Sequence, residues 1–171
     1  PSGKEQRILL VGLGHQKQCL GETLRKAYGS VVKALRAKKI GNANVFVPEH
    51  ALLGSDLVIR GMCEGALFAN YSFRMLKGES ASEENQMAQM CFVCVARGQS
   101  GVVRQAATPF SSVDLARDLV NGNADDVHVE ALAGFARGLE EEFTSVKVTI
   151  LGKEELEREQ LGLILAVNRG A

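Results

Sequence analysis

The 171-residue chain has no surplus of charge of either sign. Lys plus Arg and Asp plus Glu number 20 each, a formal net charge of zero at pH 7. The basic excess with which a nucleic-acid binder neutralises phosphates is missing, which argues against DNA or RNA as a principal partner. Also missing is any apolar run near the roughly 18 residues that cross a bilayer. The polar start, Pro1-Ser2-Gly3-Lys4-Glu5-Gln6-Arg7, does not read as a signal peptide, so a cytoplasmic location is expected. The three histidines, His15, His50 and His128, stand far apart and none belongs to an H-x-x-x-H pair. Neither a G-x-S-x-G elbow nor a P-loop occurs. From the residues alone no catalytic, cofactor-binding or metal residue can be assigned.

Cysteine is sparse: Cys19, Cys63, Cys91 and Cys94. The last two form a C-x-x-C pair inside the apolar run Met90-Cys91-Phe92-Val93-Cys94-Val95. A redox pair wants a helix N-terminus, and a structural zinc site wants a second ligand pair. Side chains three apart on a strand point to opposite faces, so these are expected to be buried, reduced structural thiols.

What the chain does have is the material of a soluble α/β protein, with 46% hydrophobic and 23% charged residues. Its length suits one domain, or one domain and part of another. Arg7-Ile8-Leu9-Leu10-Val11 reads as a strand buried on both faces, and Gly12-Leu13-Gly14 as the tight turn after it. The third glycine of a dinucleotide fingerprint is replaced by Lys17, which speaks against a cofactor there. Leu20, Leu24, Ala27, Val31, Ala34 and Leu35 repeat at helical spacing, and Gly41-Asn42 should close that helix. A strand at Asn44-Val45-Phe46-Val47 follows, with a right-handed crossover onto a parallel sheet.

A second helix is expected from Leu52 to about Lys77, with Gly61 and Gly65 allowing tight packing on a sheet, in preference to an oligomer contact. Gly78 to Asn85 is loop-like, and Met87 to Ala96 reads as a third strand. The pair Thr108-Pro109 predicts a break, with a helix from about Pro109 to Asn121 beyond it. Asn121-Gly122-Asn123 then makes a polar joint, and Asp125 or Asp126 is expected to cap the next helix, built on Val129, Leu132, Phe135, Ala136 and Leu139. After it come a strand at Val146 to Ile150, a short charged helix at Lys153 to Gln160 and a buried strand at Leu163 to Val167. By its residues the joint reads more readily as an internal corner than as a linker between domains; the lone pair of strands after it is marginal by itself, so these strands either join the first sheet or belong to a second domain present only in part, and the linker is favoured only together with the resemblance given next.

Leu115-Ala116-Arg117-Asp118-Leu119-Val120-Asn121 with its sequel to Ala133 is similar to the passage that enters the catalytic domain of the leucine aminopeptidase (cytosol aminopeptidase) family. So are Val146 to Leu151, Glu154-Glu155-Leu156 and Leu161 to Ala171, while Leu10 to Gly14 and Glu64 to Phe73 resemble segments of that family's N-terminal domain. The family's hinge proline is Asn123 here, its next Asn is Asp125 and its Thr-Pro helix start is His128-Val129, which softens the joint.

The resemblance implies a macro-domain-like, mostly parallel sheet flanked by helices over 1–107, a linker helix over 108–122, and the first βαβ elements of a peptidase domain over 123–171. It implies a parent enzyme that removes N-terminal, leucine-like residues from peptides. Two divalent metal ions, Zn or Mn, would be held by residues outside this chain, in a hexamer. Two alternatives stay open. One is an ADP-ribose binding module, for which Leu119 to Asn123 faintly resembles V-N-x-A-N without the glycine-rich phosphate loop. The other is a non-catalytic regulatory or assembly module.

Overall fold

The computed structural model describes residues 7–49, 53–73, 86–93 and 98–167. They fall into two compact units, 1–121 and 122–171. Unit 1 is a small α/β assembly. Helix α1 (Gly21–Ala37) buries Leu24, Tyr28, Val31, Val32 and Leu35, a stripe at helical spacing. It closes three residues before Gly41. Lys39 takes the left-handed conformation (φ 56°), and its N–H and that of Ile40 return to Arg36 O at 2.9 Å and Leu35 O at 3.0 Å. This double hydrogen bond is the usual glycine-terminated closure, here formed by a lysine at a conformational cost of about 1 kcal/mol.

Strand β1 (Asn42–Phe46) and strand β2 (Gln89–Val93) pair in parallel, Asn42 opposite Gln89 and Phe46 opposite Val93. Helix α2 (Ser55–Asn70) lies in the crossover between them. The β-α-β arrangement expected from the sequence is therefore present, with different strands from those anticipated. Both strands alternate: Ala43, Val45, Met90 and Phe92 pack against the helices, and the residues between them are exposed. Cys91, expected to be buried, is one of these exposed residues. One face of the sheet is covered, so period-2 alternation decides its burial. Cys94 and the expected loop at Gly78 to Asn85 lie outside the described residues.

The core is the seam between α1 and α2. Leu24 and Val32 meet Val58 and Met62, all almost fully buried. Two glycines permit the approach. A Cβ on Gly61 would stand 3.0 Å from Gly21 O and from Leu24 Cβ, and one on Gly65 would collide with the Arg25 backbone. The glycines thus serve packing, as expected, but against a helix and not a sheet. Helix α2 ends at Asn70, earlier than the apolar pattern suggested. The Asn70 side chain accepts from Met87 N at 2.8 Å and donates to Met87 O at 3.0 Å, which ties the helix end to the approach of β2.

Helix α3 (Ser100–Asn121) packs Ala106 against Ile59 and Cys63 of α2. The expected break at Thr108-Pro109 does not occur: Pro109 sits inside the helix. Proline removes the N–H that would bond Gln105 O four residues back, and the nearby hydroxyls bond other carbonyls, Thr108 Oγ1 donating to Arg104 O at 2.9 Å and Ser111 Oγ to Thr108 O at 3.1 Å; the helix continues through this one lost bond, with Ala106 packed on α2. Arg7 to Val11, expected as a buried strand, is neither strand nor buried; Ile8 and Leu10 are 75% and 89% exposed. It has no ladder partner among the described residues, and extended backbone without one is not a strand.

Unit 2 contains α4 (Val129–Glu142), α5 (Lys153–Arg158) and α6 (Gly162–Val167). The first two match the sequence pattern. Val146 to Ile150 is irregular, and the run read as a last buried strand is helical and exposed, Leu163 at 86% and Val167 at 83%. An apolar run without a pairing strand satisfies its backbone by bonding to itself, which a helix does and a strand cannot.

The seam yields a direct stability test. Gly65→Ala should cost about 1–3 kcal/mol by forcing α1 and α2 apart. Gly134→Ala, on α4 with nothing within 4 Å, should be neutral or gain up to about 1 kcal/mol. Urea unfolding of the two variants checks both, and equal midpoints would contradict the close-packed seam.

Candidate functional site

The small residues that bring the helices of unit 1 together also leave a groove. Gly29, Gly65, Ala69 and Ala106 line its floor, with Phe68, Pro109 and Phe110, in a volume of about 980 Å³. Its rim is cationic: Arg25, Lys26, Lys33, Arg36, Arg60 and Arg117, against Glu22 and Glu64. Some of this charge is committed within the fold. Arg25 Nε donates to Glu64 Oε2 at 2.6 Å, and this hydrogen bond, with Coulombic help from Glu64 and Glu22, outweighs desolvation and raises the guanidinium pKa. Arg36 donates to Ala69 O at 3.1 Å and to Asn70 O and Tyr71 O at 3.4 Å, closing the carbonyl end of α2.

At one end of the groove stands a clasp made by the Arg117-Asp118-Leu119-Val120-Asn121 stretch. The Arg117 guanidinium lies 3.7 Å from the Tyr71 ring centroid and 4.6 Å from that of Phe68, and it donates to Phe68 O at 3.1 Å. The Tyr71 hydroxyl donates to Asp118 Oδ1 at 2.8 Å and accepts from Asn121 Nδ2 at 3.1 Å. Arg, Asp and Asn at positions i, i+1 and i+4 thus hold one tyrosine by its face and its hydroxyl. Asp114, 3.7 Å from Arg117, has a buried Oδ1 without a hydrogen bond; desolvation raises its pKa, opposed by Arg117 and assisted by Asp118. The clasp fastens the end of α3 to the end of α2. It contains no nucleophile beside a base and no paired catalytic carboxylates, so its geometry is that of an anchor.

The model of the cytosol aminopeptidase family N-terminal domain matches residues 1–80, and that of the family's catalytic domain matches residues 114–171. Between them they span most of the chain, in the family's order. The chain belongs to the cytosol aminopeptidase family. A probable cytosol aminopeptidase of Protochlamydia amoebophila (strain UWE25) is 37% identical over 169 residues, 98% of this chain and 34% of that protein. One of Chlamydia felis (strain Fe/C-56) is 33% identical over 172 residues, 99% of this chain and 34% of that protein. The chain thus spans about a third of the length of these relatives. Among solved structures, the bottromycin maturation enzyme BotP in complex with Mn superposes with a TM-score of 0.65 at 22% identity, over 77% of this chain and 27% of that one, a likeness of fold.

In this family member the clasp joins the two matched regions, since Phe68 and Tyr71 belong to the first and Arg117, Asp118 and Asn121 to the second. The residues weighed from the sequence are not brought together. Gly14 adopts φ +76°, and nothing lies within 4 Å of a Cβ at Gly12 or Gly14. His15 precedes a 3-10 turn, Cys91 is on β2, and His50 lies outside the described residues. Asp125 and Asp126, expected to cap α4, do not. His128 does so, its Nδ1 accepting from Ala131 N at 3.3 Å, while Asn123 Oδ1 accepts from Asp126 N in the preceding turn at 2.8 Å. The same Nδ1 is 3.0 Å from Glu130 Oε2. No three His, Cys, Asp or Glu side chains cluster as metal ligands among the described residues, and these residues do not fit a two-metal centre.

Arg117→Ala should destabilise unit 1 by about 2 kcal/mol, from lost cation–π contact and one hydrogen bond. Arg117→Lys should recover only part, lacking the planar fork. Thermal unfolding checks this; an unchanged midpoint for Arg117→Ala would remove the clasp from the fold's energetics. The pH dependence follows from Tyr71, whose phenol pKa is raised by desolvation and by Asp118 against the opposing pull of Asn121 and Arg117. A raised pKa favours the neutral phenol in the folded chain, so its contribution is complete below about 10 and disappears as pH climbs through the folded value. Ultraviolet titration should show Tyr71 ionising above pH 10, and Tyr71→Phe should delete that step.

Proposed function

We propose that these 171 residues are the N-terminal portion of a metalloaminopeptidase that removes N-terminal, leucine-like residues from peptides in the cytoplasm. Residues 1–107 form a macro-like N-terminal domain in this reading, 108–122 a linker helix, and 123–171 the start of the peptidase domain. The enzyme works as a hexamer. Two divalent ions, Zn or Mn, are held by residues outside these 171 and supply an activated water and a polarised scissile carbonyl.

The observation that supports this reading best is the succession of two domain models of one family along one chain, at 1–80 and 114–171. The names of the relatives, probable cytosol aminopeptidases, agree with it. The role of this chain's own residues is positional. Arg117, Asp118 and Asn121 grip Tyr71 and fix where the polypeptide leaves unit 1.

The test is hydrolysis of leucine p-nitroanilide with added Mn. The 171-residue chain alone should show no turnover, whereas a chain extended to the length of the relatives should release p-nitroaniline. Turnover by the purified 171 residues, or none by the extended metal-loaded chain, would overturn the assignment.

A further inference from the structure

The clasp ends on a chemically reactive pair. Asn121 is the last residue of α3, it is exposed, and Gly122 follows it. An asparagine before a glycine is the pair most prone to cyclise, since no Cβ shields the glycine nitrogen. The same Asn121 amide is a working part of the clasp. Its Nδ2 donates to the Tyr71 hydroxyl at 3.1 Å, and that hydroxyl donates to Asp118 Oδ1 at 2.8 Å. While the amide is held there and the Asn121 backbone stays helical, Cγ is kept from the geometry of ring closure. Local opening of the clasp releases both restraints together.

We propose that Asn121 is a site of spontaneous deamidation gated by the clasp, and that its product keeps the clasp open. The Gly122 nitrogen gives its proton to solvent and bonds to Asn121 Cγ; the Cγ–Nδ2 bond breaks, and Nδ2 takes up a proton and leaves as ammonia. Water then opens the five-membered imide at either carbonyl, leaving aspartate or isoaspartate, with no net oxidation or reduction.

Either product replaces a donor by a carboxylate three residues from Asp118, on the same helix face. Two carboxylates then face one phenol proton, and the new charge stands at the carbonyl end of α3, where a negative group is disfavoured. Isoaspartate also inserts a methylene into the main chain at the joint. The neighbouring Asn123 is an internal control, because Ala124 follows it and its Oδ1 accepts from Asp126 N. The inference does not depend on the peptidase reading, and its failure would leave that reading intact.

Ageing the full 171-residue chain at mildly alkaline pH, followed by mass spectrometry of its peptides, tests it. The mass gain of an amide-to-acid exchange should accumulate at Asn121 well before Asn123. Tyr71→Phe, folded by circular dichroism, should convert about fivefold faster, the rise in opening that one lost hydrogen bond brings. A synthetic peptide of residues 115–125, which lacks Tyr71, should also convert faster than the folded chain. The converted chain and Asn121→Asp should both melt below the fresh chain, and a chain extended to the length of the relatives should convert at the same residue. Conversion at Asn123 as fast as at Asn121, a peptide no faster than the folded chain, a folded Tyr71→Phe with an unchanged rate, an unchanged melting midpoint after conversion, or an extended chain that stays intact would overturn the proposal. The peptide comparison decides the gating if Tyr71→Phe is unfolded.

Discussion

The close approach of α1 and α2 is the constraint on which unit 1 depends. Where Gly65 passes the Arg25 backbone there is no room for a methyl group, and where Gly61 passes Gly21 and Leu24 a methyl would be tight. That proximity lets Leu24, Val32, Val58 and Met62 interlock as a dry core and sets the plane against which the two strands lay Ala43, Val45, Met90 and Phe92. Full burial of each large aliphatic chain contributes about 1.5–3 kcal/mol, and a gap at the seam would forfeit several of these together.

The groove and the clasp follow from the same geometry. Small residues along α1 and α2 leave the floor low, and the long side chains beside them stand up as a rim of cations. Arg25 and Arg36 spend their charge within unit 1, on Glu64 and on the carbonyls that end α2. Arg117 does something different. Flat against two aromatic rings and bonded to a main-chain carbonyl, it converts the final turns of α3 from a surface helix into a fixed exit. The Arg-Asp-Leu-Val-Asn stretch thereby acquires a physical reason: three of its five side chains converge on Phe68 and Tyr71, about 50 residues earlier in the chain.

Some of this could be read from the residues. The faces of α1 and α4, the helical character of Lys153 onwards, the close-packing use of Gly61 and Gly65 and the family resemblance were legible, because each rests on local period or on a run of identities. The cap of α4 was misassigned because Asp125 and Asp126 are good caps by type, and the choice between them and His128 lies in where the turn at Asn123 places the chain. Pro109 was given too much weight for a related reason. A proline costs a helix one hydrogen bond, and α3 continues through that loss where Ala106 is packed against Ile59 and Cys63 of α2.

The sequence by itself determined the faces of α1 and α4, the α/β class and the family, since helical faces and motif order are properties of neighbouring positions. Tertiary structure alone decided which apolar runs became strands. Asn42–Phe46 and Gln89–Val93 are strands because each finds the other in register, whereas Arg7 to Val11 and Leu163 to Val167, as apolar and as β-prone, find no ladder partner among the described residues. A helix closes its hydrogen bonds within its own segment. A strand takes them from another part of the chain, so its existence is a fact about the fold and not about the segment.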